Sequence, residues 1–536
     1  MKRNIVRKMA LLLALVMMFT IPLSACNSGA NSDAGNGETM SETAMPDTFV
    51  IGMRGEAGNL DPHDHGDNVA GITIKHIFET LVTRNNTTME YEPLLAESWE
   101  QIDDTTVRFY LKQGVLFQNG EEMTADDVVF SLLRGSESTD LSFLYNIMDM
   151  SKLKAVDTYT VDIGTYENFW PLFDCLSHPG TSIMSQTALE AAGSAEAFGR
   201  APKDAGTGPY VFEEWIAGDS IVLVRNENYH QEPARYQKLI IRNITDDTTR
   251  ALSLESGDID LCIDVAPAQV DRISESTIAD IITAPGLNTN YIAFNTLKEP
   301  FNDTRVRQAL RYAMNLEEIV EVAYGNNAIP ADGVYPNHIP VYAECPEEYQ
   351  YPYDVEKAKE LLAEAGYPDG FSMSLWTNDN QTRIDLCEML KNSWTAIGVD
   401  VSIEILEFGI ELEKLSNGEH DAFIMGWSMT GTDGDFLWSP FNPDEGYAVN
   451  RTQYKDPEFV DVMTQARQSL DQEERLELYE QAQNILRRDL PWIPVSWDIK
   501  VYGLRSTLTN LDPAPDGMTR IYTIEPKSEV NETVSE

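Results

Sequence analysis

The stretch GTGPYVF occupies residues 206–212 and says more about the fold than any other part of the chain. Its glycines allow unusual backbone angles and its proline fixes one, which together predict a tight turn that leads into a strand. The stretch is not a phosphate-binding loop, because it lacks the GxGxxG spacing and the P-loop lysine. It therefore predicts a scaffold element rather than a ligand contact.

Outward from this turn, short strands alternate irregularly with helices. Alternating or continuous apolar residues predict strands at 48–53, 106–111, 221–224 and 422–425. The segment GVLFQNG at 114–120 predicts a strand and turn closed by its Asn-Gly pair. This pattern places the chain in the α/β class, and its 536 residues fit two domains.

The helices have clear start signals in the sequence. Asp303 and Asp354 each precede an apolar stripe with spacings of three and four residues, so each is predicted to cap a helix. Thr124 is expected to cap another helix together with Asp127. A further helix is predicted from about residue 473 to 488, before Pro491. These stripes indicate core packing and carry no chemistry themselves.

The composition excludes several classes of function. The formal charge of −48 argues against a nucleic-acid ligand, whose phosphates need lysine and arginine. Cys175, Cys262, Cys345 and Cys387 form no CxxC pair, so a structural zinc site is not expected. Their disulfide state stays open, although Cys262 lies in an apolar strand pattern and is expected to be buried. No cofactor is predicted.

The N-terminus has the pattern of an export signal, with basic residues before an apolar run at 9–21. The run ends in LSAC at 23–26, which resembles the lipobox of bacterial lipoproteins. The resemblance implies a signal peptide at 1–25 and lipid modification of Cys26 with chains such as palmitate. The segment 26–47 is then expected to be the lipidated cysteine and a flexible tether, because residues 27–47 are polar and lack apolar periodicity. The alternative is an ordinary signal peptide in which Cys26 is incidental.

A series of further segments occurs in an order that is typical of one family. They are LDP at 60–62, IFETLV at 77–82, PLLAESWE at 93–100, GVLFQNG at 114–120, TADDVVFS at 124–131, GTGPYVF at 206–212, YIAFNT at 291–296, RVRQAL at 305–310 and LPWIPV at 490–495. Together they resemble the solute-binding proteins of peptide and nickel ABC importers, which include dipeptide and oligopeptide receptors. The resemblance extends from residue 48 to about 525.

The resemblance implies an α/β, bilobed, periplasmic-binding-protein-like (type II) fold, in which two crossing strands join two lobes and ligand is enclosed between them. Lobe I is expected at 48–287 and 497–530, and lobe II at 296–490. The crossings are expected at 288–295 and 491–496. Closure about such a hinge would bury the ligand at strand ends that face a crevice.

The candidate ligand site follows the predicted strand at 422–425. Gly426 and Trp427 end this strand, and the loop behind them carries Thr432, Asp433 and Asp435. An indole offers a flat apolar wall, and a carboxylate in a closed cleft can hold an ammonium by a charge-assisted hydrogen bond. These residue types suit a peptide with a free amine.

The resemblance also implies which carboxylate matters. In peptide-binding relatives an aspartate shortly after the Gly-Trp pair holds the amine of the ligand. This chain has Thr430 three residues after Trp427, where many relatives carry that aspartate, so the expectation moves to Asp433. The alternative is that Asp433 and Asp435 are turn residues, as their glycine neighbours favour.

Two other features have open interpretations. Trp376 ends another predicted strand and is expected either to line the cleft or to pack in the core. His63, Asp64 and His65 could together bind nickel or zinc. They follow Pro62 in a loop that varies among the relatives and in which the relatives need no metal-binding residues. No metal site is therefore assigned.

The function implied by the resemblance is that of an extracytoplasmic receptor, lipid-anchored at the cell surface or in the periplasm. As a monomer it would capture a small-molecule ligand, most of all a short peptide, and deliver it to the transmembrane subunits of an ABC permease. The runner-up ligands are a nickel chelate, glutathione or an oligosaccharide. The sequence has no GxSxG, HExxH or CxxC signature, so an enzyme is not expected. A sensor or adhesin on the same fold is a third alternative.

Overall fold

The computed structural model describes residues 47–166, 171–429 and 431–527. The expected signal peptide, Cys26 and all of the tether before residue 47 lie outside these residues, as does Thr430. Among the helices that are described, none is long and apolar enough to cross a membrane.

The strands of the described residues are, in chain order, β1 (Thr48–Met53), β2 (Val82–Arg84), β3 (Tyr91–Pro93), β4 (Ala96–Asp103), β5 (Thr106–Leu111), β6 (Lys154–Asp157), β7 (Thr160–Gly164), β8 (Tyr210–Ile216), β9 (Ser220–Arg225), β10 (Lys238–Asn243), β11 (Leu261–Ile263), β12 (Ala279–Phe294), β13 (Ala328–Pro330), β14 (Ser372–Asn378), β15 (Asp400–Leu406), β16 (Ala422–Ser428), β17 (Trp492–Arg505), β18 (Leu508–Thr509) and β19 (Glu525–Pro526).

The helices are α1 (Asn68–Ile77), α2 (Ala125–Gly135), α3 (Ser142–Tyr145), α4 (Leu172–Ser177), α5 (Gln186–Ala192), α6 (Ala195–Arg200), α7 (Asp247–Ser256), α8 (Pro267–Ser274), α9 (Thr304–Tyr312), α10 (Leu316–Tyr324), α11 (Val355–Glu364), α12 (Gln381–Thr395), α13 (Phe408–Ser416), α14 (Trp438–Phe441), α15 (Pro457–Gln468) and α16 (Gln472–Asp489). Short 3-10 turns lie at Pro179–Thr181, Gly325–Asn327, Glu347–Tyr349 and Gly434–Leu437.

One large sheet runs through the molecule in the order β15-β14-β16-β12-β17-β11-β1-β10-β9-β8, with β13 paired to β17. A separate four-stranded sheet, β4-β5-β7-β6, packs with α2 into a core of its own. Strands β12 and β17 are antiparallel to each other and are shared by both lobes. The predicted α/β fold with two lobes and two joining strands is confirmed.

The two ends of β12 and β17 belong to different cores. Ile292 and Ile493 pack with α9, α10, α11 and α12 in the second lobe. Tyr502 and Leu504 pack with β1, β8 and β10 in the first lobe. The pairing of β12 with β17 shifts register between Pro285 and Thr289. The residue boundaries predicted for the lobes and crossings stay predictions.

The predicted helix starts are confirmed at the level of the capping hydrogen bonds. Asp354 accepts from the backbone nitrogen of Lys357 at 2.9 Å, and Asp303 accepts from that of Arg305 at 2.9 Å. Thr124 and Asp127 form a reciprocal capping box at the start of α2. These caps satisfy backbone donors that have no partner within the helix, so local sequence was enough to find them.

The turn at 206–212 is present, and β8 begins at Tyr210 as predicted. The structure adds the reason for its glycines, since a Cβ on Gly206 or Gly208 would overlap the carbonyl of Ile77 at the end of α1. The prediction for GVLFQNG was wrong in part, because this segment has a turn but no strand. Only an isolated bridge joins Leu116 to Glu122.

Candidate ligand cleft

A cavity of about 260 Å³ lies between the two lobes. The first lobe contributes loop and helix residues from 65–68, 140–143 and 178, and the second contributes the end of β16. The joining strands β12 and β17 complete the wall with Leu287, Asn288 and Lys500. Its polar or aromatic lining residues include His65, Phe143, His178, Asn288, Ser428 and Lys500, together with the carboxylates of Asp67, Asp140 and Asp516.

Lys500 is the lining cation of the cleft that is open to a ligand. Among the described residues its ammonium makes no hydrogen bond and no ion pair, although the chain has 87 acidic residues to 39 basic ones. The nearby carboxylate of Asp498 accepts from Asn290 Nδ2 at 2.7 Å instead. Because Asp498 is buried, its pKa is raised even though Lys500 opposes the shift. An unpaired lysine that lines a cleft is suited to bind a carboxylate.

Neutral hydrogen-bonding groups lie at the end of β16. Ser428 pairs with Asn288 across the ladder, and its hydroxyl donates to Asn288 Oδ1 at 3.0 Å. Gly426 adjoins this pair, and a Cβ there would meet Asn288 Oδ1 at 2.9 Å and Arg383 Nη2 at 3.2 Å. Close packing against Asn288 and Arg383 therefore leaves little room for a side chain at Gly426. Its contact with ligand stays a prediction.

Two histidines stack on the first-lobe side of the cleft. The rings of His65 and His178 lie 6.0 Å apart with an angle of 5° between their planes. Within the described residues neither ring nitrogen of His65 has a hydrogen-bond partner. Burial lowers the pKa of His65, and burial followed by the neighbouring His65 lowers the pKa of His178 to about 3. Both imidazoles are therefore neutral near pH 7. His65 can act as an acceptor or metal ligand, whereas His178 Nδ1 already accepts from the backbone nitrogen of Gly180 at 3.0 Å, which leaves its Nε2–H as a donor.

His63 has a different environment from His65. Its Nε2 lies 3.0 Å from the carbonyl oxygen of Ser182, and its Nδ1 lies 2.9 Å from Arg134 Nη1. Arg134 in turn forms an ion pair with the buried Asp61. His63 and His65 therefore do not form one metal-binding pair. The described residues contain no group of three His, Cys, Asp or Glu side chains that could hold a metal.

The loop after β16 touches the first lobe through Asp174, a buried residue of α4. The backbone nitrogens of Thr432 and Asp433 both donate to its carboxylate, each at 3.1 Å. Tyr91 and Arg84 of the first lobe bind the same carboxylate. Burial raises the pKa of Asp174 against the opposing charge of Arg84. Thr432 is therefore a contact between the lobes, and its contact with ligand stays a prediction.

The two candidate carboxylates both have protein partners. Asp433 binds Arg475 Nη2 at 2.8 and 2.7 Å and accepts from the hydroxyl of Tyr479 at 3.0 Å. Asp435 lies 2.7 Å from Arg467 Nε, and burial raises its pKa to about 6. The predicted amine anchor at Asp433 stays a prediction, but in this structure Arg475 already neutralises that carboxylate. The geometry favours the alternative that these aspartates stabilise the loop.

The two candidate tryptophans differ in exposure. Trp427 is half-buried and meets the ring of Trp492 edge-on at 5.8 Å. Trp376 is 4% exposed and packs against His420, while Lys414 Nζ lies 4.9 Å from its ring centre. Trp376 is thus part of the second-lobe core, as its alternative interpretation held. Trp427 is the better placed of the two to be reached from solvent.

Sequence reasoning missed Lys500, His178, Asn288 and Ser428 as cleft residues. They come from four distant parts of the chain, and none stands in a motif. The only signal was weak: Lys500 is a basic residue in an apolar strand of a very acidic chain.

Two α/β lobes that are joined by two long strands and enclose a cleft define a solute-binding protein. Residues 90–448 match the model of the bacterial extracellular solute-binding proteins, family 5 Middle, and the chain belongs to this family. The family supplies the substrate-binding components of ABC importers. The protein therefore binds a solute outside the cytoplasm and is not an enzyme.

Relatives with different printed ligands match nearly the whole chain. Glutathione-binding protein GsiB of Salmonella typhimurium is 31% identical over 480 residues, which cover 87% of this chain and 92% of the relative. Heme-binding protein A of Haemophilus influenzae is 30% identical over 534 residues, or 94% and 96% of the two chains. The structure of DppA from Helicobacter pylori with the peptide STSA is 28% identical, with a TM-score of 0.76 over 90% of this chain and 98% of that one.

Proposed function

We propose that the protein captures a short peptide, or a peptide-like molecule such as glutathione, through its free carboxylate. The observation that carries this proposal is the unpaired ammonium of Lys500 in the cleft between the lobes. Asn288 and Ser428 add neutral hydrogen-bonding groups beside it. A charge-assisted bond to a carboxylate is strong in a cleft that excludes water.

The relatives support a ligand of this chemistry. One is a glutathione-binding protein and another is a peptide-binding protein in complex with STSA. Both ligands carry free carboxylates, and both proteins align with most of this chain. The peptide is therefore the leading ligand class, and glutathione is an outcome that the same experiment can distinguish.

We infer that binding works by hinge closure about the predicted crossings at 288–295 and 491–496. The interrupted pairing of β12 and β17 next to the first crossing supports a hinge there. The hydrogen bonds from Thr432 and Asp433 to Asp174 form only when the lobes meet. A ligand that contacts both lobes would then favour the closed state.

The proposal includes a lipid anchor at Cys26, on the strength of the LSAC motif. Acylation would hold the monomeric receptor at the membrane, where the permease can accept its ligand. Mass spectrometry of the mature N-terminus would test this, with Cys26→Ser as the variant that should be released from the membrane. An unmodified Cys26 in membrane-bound protein would contradict it.

The decisive experiment compares each peptide with its C-terminal amide by calorimetry. Dipeptides, tripeptides and glutathione should bind, and amidation should weaken binding about tenfold or more, because a charged hydrogen bond is lost. Lys500→Met should remove the difference between acid and amide, whereas Lys203→Met, at an exposed position, should not. Equal affinity of acid and amide in the unsubstituted protein would overturn the carboxylate proposal.

A metal chelate or haem is the second candidate, because His65 lines the cleft and, within the described residues, neither of its ring nitrogens has a hydrogen-bond partner; His178 stacks on it. One relative is named a heme-binding protein. Haem absorbance shifts that disappear in His65→Ala and His178→Ala would favour this candidate. The same calorimetric titration with nickel, with and without free histidine, and with oligosaccharides tests the remaining candidate ligands.

A further inference from the structure

The second lobe contains a cavity of about 520 Å³ that shares no lining residue with the cleft. It lies among α9, α10, α16 and the segment at 345–353. The groups that decide its chemistry are Arg311, Asn315, Tyr349, Tyr351 and Arg487. The proposed capture of ligand between the lobes does not use this cavity.

Arg311 is a cation without a protein partner. It stands in the last turn of α9, and among the described residues its guanidinium makes no hydrogen bond or ion pair. Burial lowers its pKa to about 10, and Tyr351 and Cys345, rather than an acid, are the groups that most oppose this shift. Arg311 is half-buried, and its guanidinium has five N–H donors that no protein group uses within the described residues.

Arg307, on the same helix, is a useful comparison because its guanidinium is bound by the protein itself. Arg307 stands one turn earlier, and burial lowers its pKa to about 10 as well. Its guanidinium nevertheless donates to the carbonyl oxygens of Asp489 at 2.8 Å and Leu490 at 3.1 Å, and to the hydroxyl of Thr304 at 2.9 Å. The fold thus satisfies Arg307 completely and leaves Arg311 open to the cavity.

The start of α10 adds a second group of donors at the same cavity. Its N-cap residue, Asn315, makes no capping hydrogen bond, and its side-chain nitrogen donates to Glu318 Oε2 at 2.8 Å instead. The first backbone N–H groups of a helix have no intrahelical partner, and the helix dipole favours an anion there. Asn315 and Leu316 both line the cavity.

The other charged groups of the cavity are engaged or lie at its rim. Arg487 donates to the carbonyl oxygens of Asp332 at 3.1 Å and Ala343 at 2.6 Å, and it lies 3.5 Å from the carboxylate of Asp332. Glu317 is exposed to solvent. Arg311 is therefore the one lining cation in the described structure that a ligand can bind without displacing a protein partner.

The remaining wall is aromatic and prolyl. It is formed by Pro330, Tyr349, Tyr351, Pro352, Tyr353 and Pro494, whereas Phe441 and Trp492 are 1% and 4% exposed and belong to the core beneath it. Flat side chains of this kind stack on planar apolar groups. An inorganic anion would use the donors but leave this wall uncovered.

We propose that this cavity is a second binding site, for a small organic acid with a planar, apolar body. Arg311 and the free amides at the start of α10 bind the carboxylate, and the body lies against Tyr349, Tyr351 and the neighbouring prolines. The site works independently of the cleft, so the protein can hold both ligands at once.

The probe is 4-hydroxyphenylacetate, with its amide and inorganic phosphate for comparison, titrated into the full chain by calorimetry. The acid should bind, and both amidation and Arg311→Met should weaken binding about tenfold or more. Arg305→Met is the matched control, because Arg305 is on the same helix but already pairs with Asp303. Lys500→Met should leave this binding unchanged.

A second measurement needs no substitution at the site. Cys345 lines the cavity and is half-buried, whereas Cys175, Cys262 and Cys387 are buried. Bound acid should slow alkylation of Cys345, followed by mass spectrometry of its peptide. The proposal is overturned if the acid does not bind, if Arg311→Met binds it equally well, if phosphate binds as tightly, or if Lys500→Met alone abolishes binding.

Discussion

The carboxylate of Asp174 in the first lobe accepts a hydrogen bond from the backbone nitrogen of Thr432 in the second lobe, at 3.1 Å. The two residues are 258 positions apart in the chain. The same carboxylate also binds the amide of Asp433, so a single buried side chain fixes the loop that was predicted to form the ligand site.

Asp174→Ala should weaken ligand binding about tenfold, because the closed state loses charge-assisted hydrogen bonds while the open state can hydrate the freed amides. Small-angle scattering of the unliganded protein should show a larger radius of gyration. Unchanged affinity and size would mean that this contact does not contribute to closure.

Gly431→Ala should have the same effect by a steric route. A Cβ at Gly431 would overlap the carboxylate of Asp174, whereas one at Gly446 would meet nothing within 4 Å. Gly431→Ala should therefore lower ligand affinity and Gly446→Ala should not. Measurement of both variants by calorimetry separates closure from a general effect of alanine in a loop.

Asp433→Asn should destabilise the second lobe by about 3 kcal/mol, because it leaves the 3% exposed Arg475 without its counter-charge. Urea unfolding measures this loss. If Asp433 also holds the ligand's amine, affinity should fall for free peptides but not for N-acetylated ones. Equal changes for both kinds of peptide would assign Asp433 a structural role alone.

Glu411 predicts a pH dependence of stability. It lies on α13 with 0% exposure, and neither carboxylate oxygen has a hydrogen-bond partner in the described structure. Burial raises its pKa from 4.5 to about 7, against the opposing charges of Arg383 and Arg451. As pH rises, the unfolded chain loses this proton near pH 4.5, whereas the folded protein keeps it until about pH 7. The free energy of unfolding should therefore fall as pH rises through this range.

Glu411→Gln should accordingly raise the Tm at about pH 8 and change it much less at about pH 4, where both states hold the proton. Glu413→Gln, at an exposed position of the same helix, is the control. An equal shift at both pH values would show that the effect is not one of ionisation.

The α11 cap offers a test of local stability. Asp354→Ala removes the acceptor for the backbone nitrogen of Lys357 and should cost about 1 kcal/mol. Asp354→Asn keeps an oxygen in the same place and should cost less. Urea midpoints of the two variants measure the difference, and equal losses would argue against the capping explanation.

The sequence alone determined the local structure. Asp303, Asp354 and Thr124 were identified as helix starts because a cap acts on amides only two or three residues away. Strands β1, β5 and β16 were found because their apolar patterns reflect burial of nearby residues. The order of the motifs then fixed the family and with it the bilobed fold, as the match over residues 90–448 confirms.

Only the tertiary structure decided which side chains are available to a ligand. Asp433 looked free in the sequence, but Arg475, 42 positions away, occupies its carboxylate. His63 is held by Ser182 and Arg134, while His65, two residues on, faces the cleft without a partner. Lys500 makes no ion pair in the described structure because the carboxylate of Asp498, the acid whose charge it opposes, accepts from Asn290 instead, and Arg311 likewise has no acidic partner there. A charge selects its partner by distance in space, and packing of residues far apart in the chain sets that distance.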